Sequence, residues 1–167
     1  MRHFLSAPFV VDPVLDARST GGVTQAEASV SWLKSLTANA RRRIFAGGAA
    51  GTSFGGRPFP TEQFPLGGPL RMSAFSVGEQ RGDQFAFGAA GYLHQVARLP
   101  NFLGGRVFLG GWLETGTAVN RGVDWELDTH ASAGLVADTL IGPVLAGASV
   151  GMDGDSRFYI GIGKIFR

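Results

Sequence analysis

Apolar and polar residues alternate with a period of two along most of this chain. The pattern is clearest over residues 125–138, where Trp125, Leu127, Thr129, Ala131, Ala133, Leu135 and Ala137 share one face. Glu126, Asp128, His130, Ser132, Gly134 and Asp138 take the other, with Val136 the exception. A strand puts Glu126 and Asp128 on one side, whereas a helix separates them. Further on, Val144, Ala146, Ala148, Val150 and Met152 oppose Gly147, Ser149, Gly151 and Asp153, and Phe158, Ile160 and Ile162 oppose Tyr159, Gly161 and Gly163. Upstream, Val107, Leu109, Gly111 and Leu113 face away from Arg106, Gly110, Glu114 and Gly116. Ala26, Ala28, Val30, Trp32 and Leu36 oppose Gln25, Glu27, Ser29, Ser31 and Ser35.

Eight runs of this kind cover residues 2–10, 24–37, 40–54, 84–97, 104–117, 125–138, 142–153 and 156–166. Most exceed the about 5–6 residues of a soluble strand. They match the about 9–11 that a tilted membrane strand needs. The connections alternate in length: 38–39, 98–104 and 139–141 are short, while 11–23, 55–83 and 118–124 are longer. Outer-membrane barrels show that asymmetry. Asp153-Gly154-Asp155-Ser156 departs from it and suits a tight hairpin. The pattern predicts an all-β fold, an antiparallel outer-membrane β-barrel of about eight strands. A soluble β-domain also alternates, but strand length and the small or aliphatic residues on both faces count against it. The stretch 131–152 is long enough for a membrane helix, but its glycines and Pro143 fit the two-residue period better.

Composition sharpens this reading. The 167 residues include 26 glycines and 13 phenylalanines, no cysteine, and only 17% charged residues. A typical soluble domain carries about 25% charge and about 7% glycine. The apolar content excludes disorder. The missing cysteine excludes a disulfide scaffold and a thiolate metal site. A net charge of +2 gives no footprint for nucleic acid. The first residues lack the pattern of a secretory leader, since Pro8, Asp12 and Pro13 interrupt the apolar run.

Few residues point to chemistry. Gly51-Thr52-Ser53-Phe54-Gly55 has the letters of a nucleophile elbow, but Gly56-Arg57-Pro58 cannot open the helix that elbow needs. A serine hydrolase using Ser53, even paired with Asp153, is therefore the weaker alternative. Asp124, Glu126 and Asp128 read as a polar lumen wall rather than a metal site, and Arg41-Arg42-Arg43 as an interfacial anchor. His94 and His130 read as lumen or wall residues, and His3 stands alone. No cofactor or metal is expected.

The connector 55–83 is too long for a turn and too apolar for a solvated loop, with Phe64-Pro65-Leu66-Gly67-Gly68-Pro69-Leu70-Arg71-Met72-Ser73-Ala74-Phe75 at its centre. It is expected to fold back into the lumen. Arg71 would then need a carboxylate, and Glu114, Glu126 and Asp128 face the lumen in this assignment.

FPLGGPLRMSAF, GRVFLGGWLETG, DTLIGPVLAGASVG and SRFYIGIGKIF, in that order, resemble the C-terminal barrel of bacterial patatin-like phospholipases, within the bacterial surface antigen superfamily. The resemblance covers residues 55–167 well and 1–54 weakly. It implies a lumen loop whose Val/Leu-Arg-Gly-Tyr/Phe tetrad, counted from Gly67 and Gly68, falls on Met72, Ser73, Ala74 and Phe75. Ser73 then stands at the arginine position and Ala74 at the glycine. Glu114 is the implied acidic strand residue, and Arg71, two residues before the arginine position, is expected to pair with it instead. The serine departs from the assembly-factor pattern and is closer to the patatin-linked type.

The resemblance further implies the C-terminal half of a sixteen-strand barrel, with the hydrolase domain absent from residues 1–167. The chain would act as an outer-membrane anchor or translocation domain. The alternative is the barrel of an outer-membrane assembly or translocation factor. Tyr159, Gly161 and Phe166 resemble the C-terminal signal read by the barrel-assembly machinery, with Arg167 overhanging it. The implied location is the bacterial outer membrane. The implied partners are its lipids, that machinery, and a second barrel half or another copy of the chain.

Overall fold

The computed structural model describes residues 9–20, 22–100 and 102–162, with the side chains of 9–13 and 20 left aside. The described residues contain no helix, and every strand pairing is antiparallel. Ten strands form: β1 Phe9–Thr20, β2 Val23–Ser35, β3 Arg42–Gly55, β4 Phe64–Leu66, β5 Gln80–Gly82, β6 Gln84–Arg98, β7 Gly104–Val119, β8 Asp128–Thr139, β9 Gly142–Gly151 and β10 Ser156–Ile162. Eight of them make one sheet in the order β1-β2-β3-β6-β7-β8-β9-β10, and β4 and β5 form a separate small hairpin. The large sheet is a meander with β1 and β10 as its edges.

The alternation sorts side chains onto two unlike faces. On β7, Phe108, Trp112, Glu114 and Gly116 are buried, while Leu109, Leu113 and Thr115 are exposed. On β8, His130, Ser132 and Val136 are buried, while Ala131, Ala133 and Leu135 are exposed. β9 buries Leu145, Ser149 and Gly151, and β10 buries Tyr159 between exposed Phe158 and Ile160. The buried side is covered by residues 56–83, here called the plug. Leu70 of the plug joins Leu33, Phe45, Leu93, Phe108, Trp112, Val136, Leu145 and Tyr159 in one apolar cluster. Phe64, Leu66, Met72 and Phe75 form a second with Phe85 of β6. Glycine makes room for these rings: a Cβ on Gly91 would lie 2.5 Å from the Trp112 Cβ and 2.6 Å from the Phe45 ring.

Three sequence expectations are corrected. Residues 11–23 are not a long loop. They form most of β1, and Thr20 pairs with Val23 across a tight turn in which Gly22 has φ 83°. Pro13 and the charges Asp12, Asp16 and Arg18 hid the strand, yet an edge strand tolerates both proline and charge. The run expected at 2–10 therefore overlaps β1 only at its end, and residues 2–8 lie outside the described residues. The run at 125–138 begins late: β8 starts at Asp128, and Trp125, Glu126 and Leu127 belong to an exposed connection, so Glu126 is not on the inner wall. The length asymmetry of the connections weakens accordingly, because β1–β2 and β9–β10 are both tight turns at the end where the long connections lie.

Candidate functional site

The plug's contacts with the buried face bring charged and polar groups together. Its entry is shaped by backbone. Gly67 and Gly68 adopt φ 125° and 111°. A Cβ on Gly67 would lie 2.1 Å from the Ser76 carbonyl oxygen, so only glycine lets the two ends of this turn approach. Leu70 and Met72 are in the left-handed region, at φ 58° and 70°, which bulky residues rarely adopt. Hydrogen bonds hold that conformation. The Leu70 N–H donates to Ser73 Oγ at 2.8 Å, and the Phe75 N–H to the Met72 carbonyl at 3.0 Å.

The tip of the turn meets two acceptors on the wall. The Ser73 N–H donates to Glu114 Oε2 at 3.0 Å, and the Ala74 N–H to His130 Nδ1 at 3.2 Å. Glu114 and His130 are directly paired across β7 and β8, and both are 1% exposed. Ser132 Oγ donates to the same Glu114 oxygen at 3.1 Å and lies 2.8 Å from Ser149 Oγ. The Phe75 ring packs edge-on against the His130 ring at 4.5 Å between centroids. From β10, Arg157 donates to the Ala74 carbonyl at 3.3 Å and to Ser76 Oγ at 2.8 Å. Arg157 also lies 4.0 Å from Glu79. The Ser76 N–H donates to Glu79, and that bond holds the Glu79 carboxyl below the usual carboxylate range.

The expected pairing of Arg71 with Glu114 is not formed. It lies 3.6 Å from Glu27 of β2. Its guanidinium sits over the Phe85 ring at 5.1 Å, which carries the side chain toward β2 and away from β7. Glu114 meanwhile holds the Ser73 amide, two residues further along the turn, and the Ser132 hydroxyl of β8.

A second set of contacts fastens the outer part of the plug. Gln25 Nε2 donates to Ser53 Oγ at 3.2 Å and to the Glu62 carbonyl at 2.7 Å. Gln63 donates to Asp83 and Asn120, and Gln80 to Asp128. Arg121 donates to the Ser53 carbonyl. Ser53 is thus a fully buried residue of β3, bonded to a glutamine that cannot act as a base, and β3 runs on through Gly55. The strand–turn–helix setting of a nucleophile elbow is not formed there. Asp153-Gly154 occupies the β9–β10 turn, with Gly154 at φ 97°. Among the described residues, no group of three or more His, Asp or Glu side chains is placed to hold a metal ion.

Of the C-terminal residues, Tyr159 packs in the first apolar cluster, Gly161 shares its side of β10, with no atom of the described residues within 4 Å of where a Cβ would stand, and Phe166 lies outside the described residues. Sequence reasoning missed three site residues: His130 as an acceptor, Glu27 as the partner of Arg71, and Arg157 as a clamp. The period-two pattern did place His130 and Glu27 on the same faces as Glu114 and Gln25, respectively, which was the available signal. No family model matches the chain, and no curated protein matches it.

Proposed function

We propose that this chain is part of an outer-membrane β-barrel whose lumen is stopped by residues 56–83, and that it serves as a membrane anchor of the kind joined to patatin-like phospholipases. One observation carries the membrane part: large apolar side chains line the exposed face as well as the buried one, where they share space with charged and polar groups. The inner face buries Arg43, Glu114, His130, Ser132 and Ser149, while the outer face exposes Leu109, Leu113, Leu135, Val150, Phe158 and Ile160. In water that arrangement wastes apolar surface on solvent and removes charge from it. In lipid it places apolar side chains against acyl chains and polar ones toward a lumen. β2, β3, β6 and β7, at 13, 14, 15 and 16 residues, exceed the about 9–11 needed to cross.

A barrel of eight strands leaves an interior just wide enough for its own side chains. The plug occupies that interior, so further strands must complete the ring. β1 and β10 run antiparallel to each other, and a second eight-strand sheet of the same kind satisfies the ladders of both. Lipid permits no open edge. The meeting of Ser73, rather than an arginine, with Glu114 favours the patatin-linked type over an assembly factor.

Fractionation tests the membrane part. The chain should sediment with membranes, resist an alkaline carbonate wash and need detergent for extraction. A chain that stays monomeric in buffer without detergent would refute it. The coding sequence immediately upstream tests the rest: a patatin hydrolase supports the anchor, and soluble repeat domains would point to an assembly factor.

A further inference from the structure

We propose that His130 makes the plug acid-sensitive: proton uptake at Nδ1 removes the acceptor of the Ala74 N–H and detaches the turn around Ser73 from the inner wall. An imidazole nitrogen accepts a hydrogen bond only while it carries no proton. Because Nδ1 accepts from Ala74, the neutral ring carries its hydrogen on Nε2, a buried atom with no hydrogen-bond partner. Adding a proton sets Nδ1–H against the Ala74 N–H, two donors facing each other in a site that water does not reach.

Charged groups stand on the elements around the ring. Glu114 stands opposite on β7, and its Oε1 is buried without a partner. Asp128 is two residues along β8 on the same face. Asp153, in the β9–β10 turn, approaches from beyond Gly151, and its Oδ1 and the His130 Cδ2 both lie close to where a Gly151 Cβ would stand. From β10 come Tyr159, which is uncharged, and Arg157, already bonded to Ala74 and Ser76. The left-handed Leu70 and Met72 add strain that the turn releases when it leaves. This mechanism rests on the contacts between plug and wall alone. It holds whether or not the outer face meets lipid, so its failure is separable from failure of the membrane reading.

The absence of cysteine makes the test direct. A nitroxide is attached at Val77→Cys, an exposed plug position, in the otherwise unaltered full chain. Its electron paramagnetic resonance line shape is followed from about pH 7.5 to about pH 5, the interval in which histidine takes up its proton. The ratio of mobile to immobile label should rise on acidification, by at most about tenfold per pH unit for a single proton. His130→Asn puts an amide oxygen near the Nδ1 position and does not titrate, so the pH dependence should vanish. An unchanged line shape in the wild type would overturn the proposal. So would the same dependence persisting in His130→Asn, which would assign the response to a carboxylate.

Discussion

The main-chain N–H of Ser73 donates to Glu114 Oε2 at 3.0 Å, tying the plug to the middle of β7 through a buried carboxylate. A carboxylate taken out of water needs donors, and Ser73 and Ser132 supply two. Glu114→Gln keeps the size of the side chain but replaces one oxygen with a donor. A hydrogen bond to a charged group is worth about 1.5–3 kcal/mol, so about tenfold or more faster tryptic cleavage at Arg71 is expected. Unchanged cleavage would show that this bond does not hold the plug.

Arg71→Ala should loosen the plug less. The pair with Glu27 is part exposed and 3.6 Å apart, the class of ion pair worth about 0–1 kcal/mol. Stacking over Phe85 adds about 0.5–1 kcal/mol. Glu27→Gln should therefore reproduce only part of the Arg71→Ala effect, and the double variant should match Arg71→Ala alone. Thermal unfolding of the four proteins in one detergent measures this cycle.

Gly67→Ala is expected to be the most damaging single methyl in the plug. The new Cβ would lie 2.1 Å from the Ser76 oxygen at φ 125°, so the turn must open. A cost of more than about 2 kcal/mol follows from backbone strain of this kind. The change should appear as protease sensitivity of residues 67–76 while strand content, read by circular dichroism, stays intact.

Much of the fold could be read from the order of residues. The inward and outward sets of β7, β9 and β10 follow the two-residue period, although Phe108, Trp112, Leu145 and Tyr159 make the inward face apolar as well. β1 escaped because Pro13 reads as a break and Asp12, Asp16 and Arg18 interrupt the apolar alternation. Trp125 and Leu127 misled for the opposite reason: alternation continued past the last ladder bond. The site was half legible. The resemblance put Ser73 at the position facing Glu114, but the partner of Arg71 depends on how the turn bends at Leu70 and Met72. A positive φ at such residues leaves no mark in sequence. Glu27 lies 44 residues before Arg71 in the chain, on a strand that only the plug brings near it.

The pH response of Glu79 has a defined sign. Its carboxyl is held below the ordinary range by the Ser76 N–H, so its contribution is present at neutral pH and is lost as the pH falls through the lowered value. The side chain is largely exposed, so the effect is small. Glu79→Gln should remove a shallow loosening of the plug at carboxylate pH and leave behaviour between about pH 5 and 8 untouched. Hydrogen exchange at the Ser76 amide, corrected for intrinsic rate, reports it.

Alternating contact with lipid tests the central claim most directly. Single cysteines at Leu113, Leu135 and Ile160 on the outer face, and at Gly161 on the inner side, are labelled with a small fluorophore. The protein is then placed in vesicles that carry a quencher in their acyl chains. Strong quenching at Leu113, Leu135 and Ile160 with little at Gly161 is expected. Equal quenching at Ile160 and Gly161, or none at any position, would contradict an outer face that meets lipid around a plugged lumen.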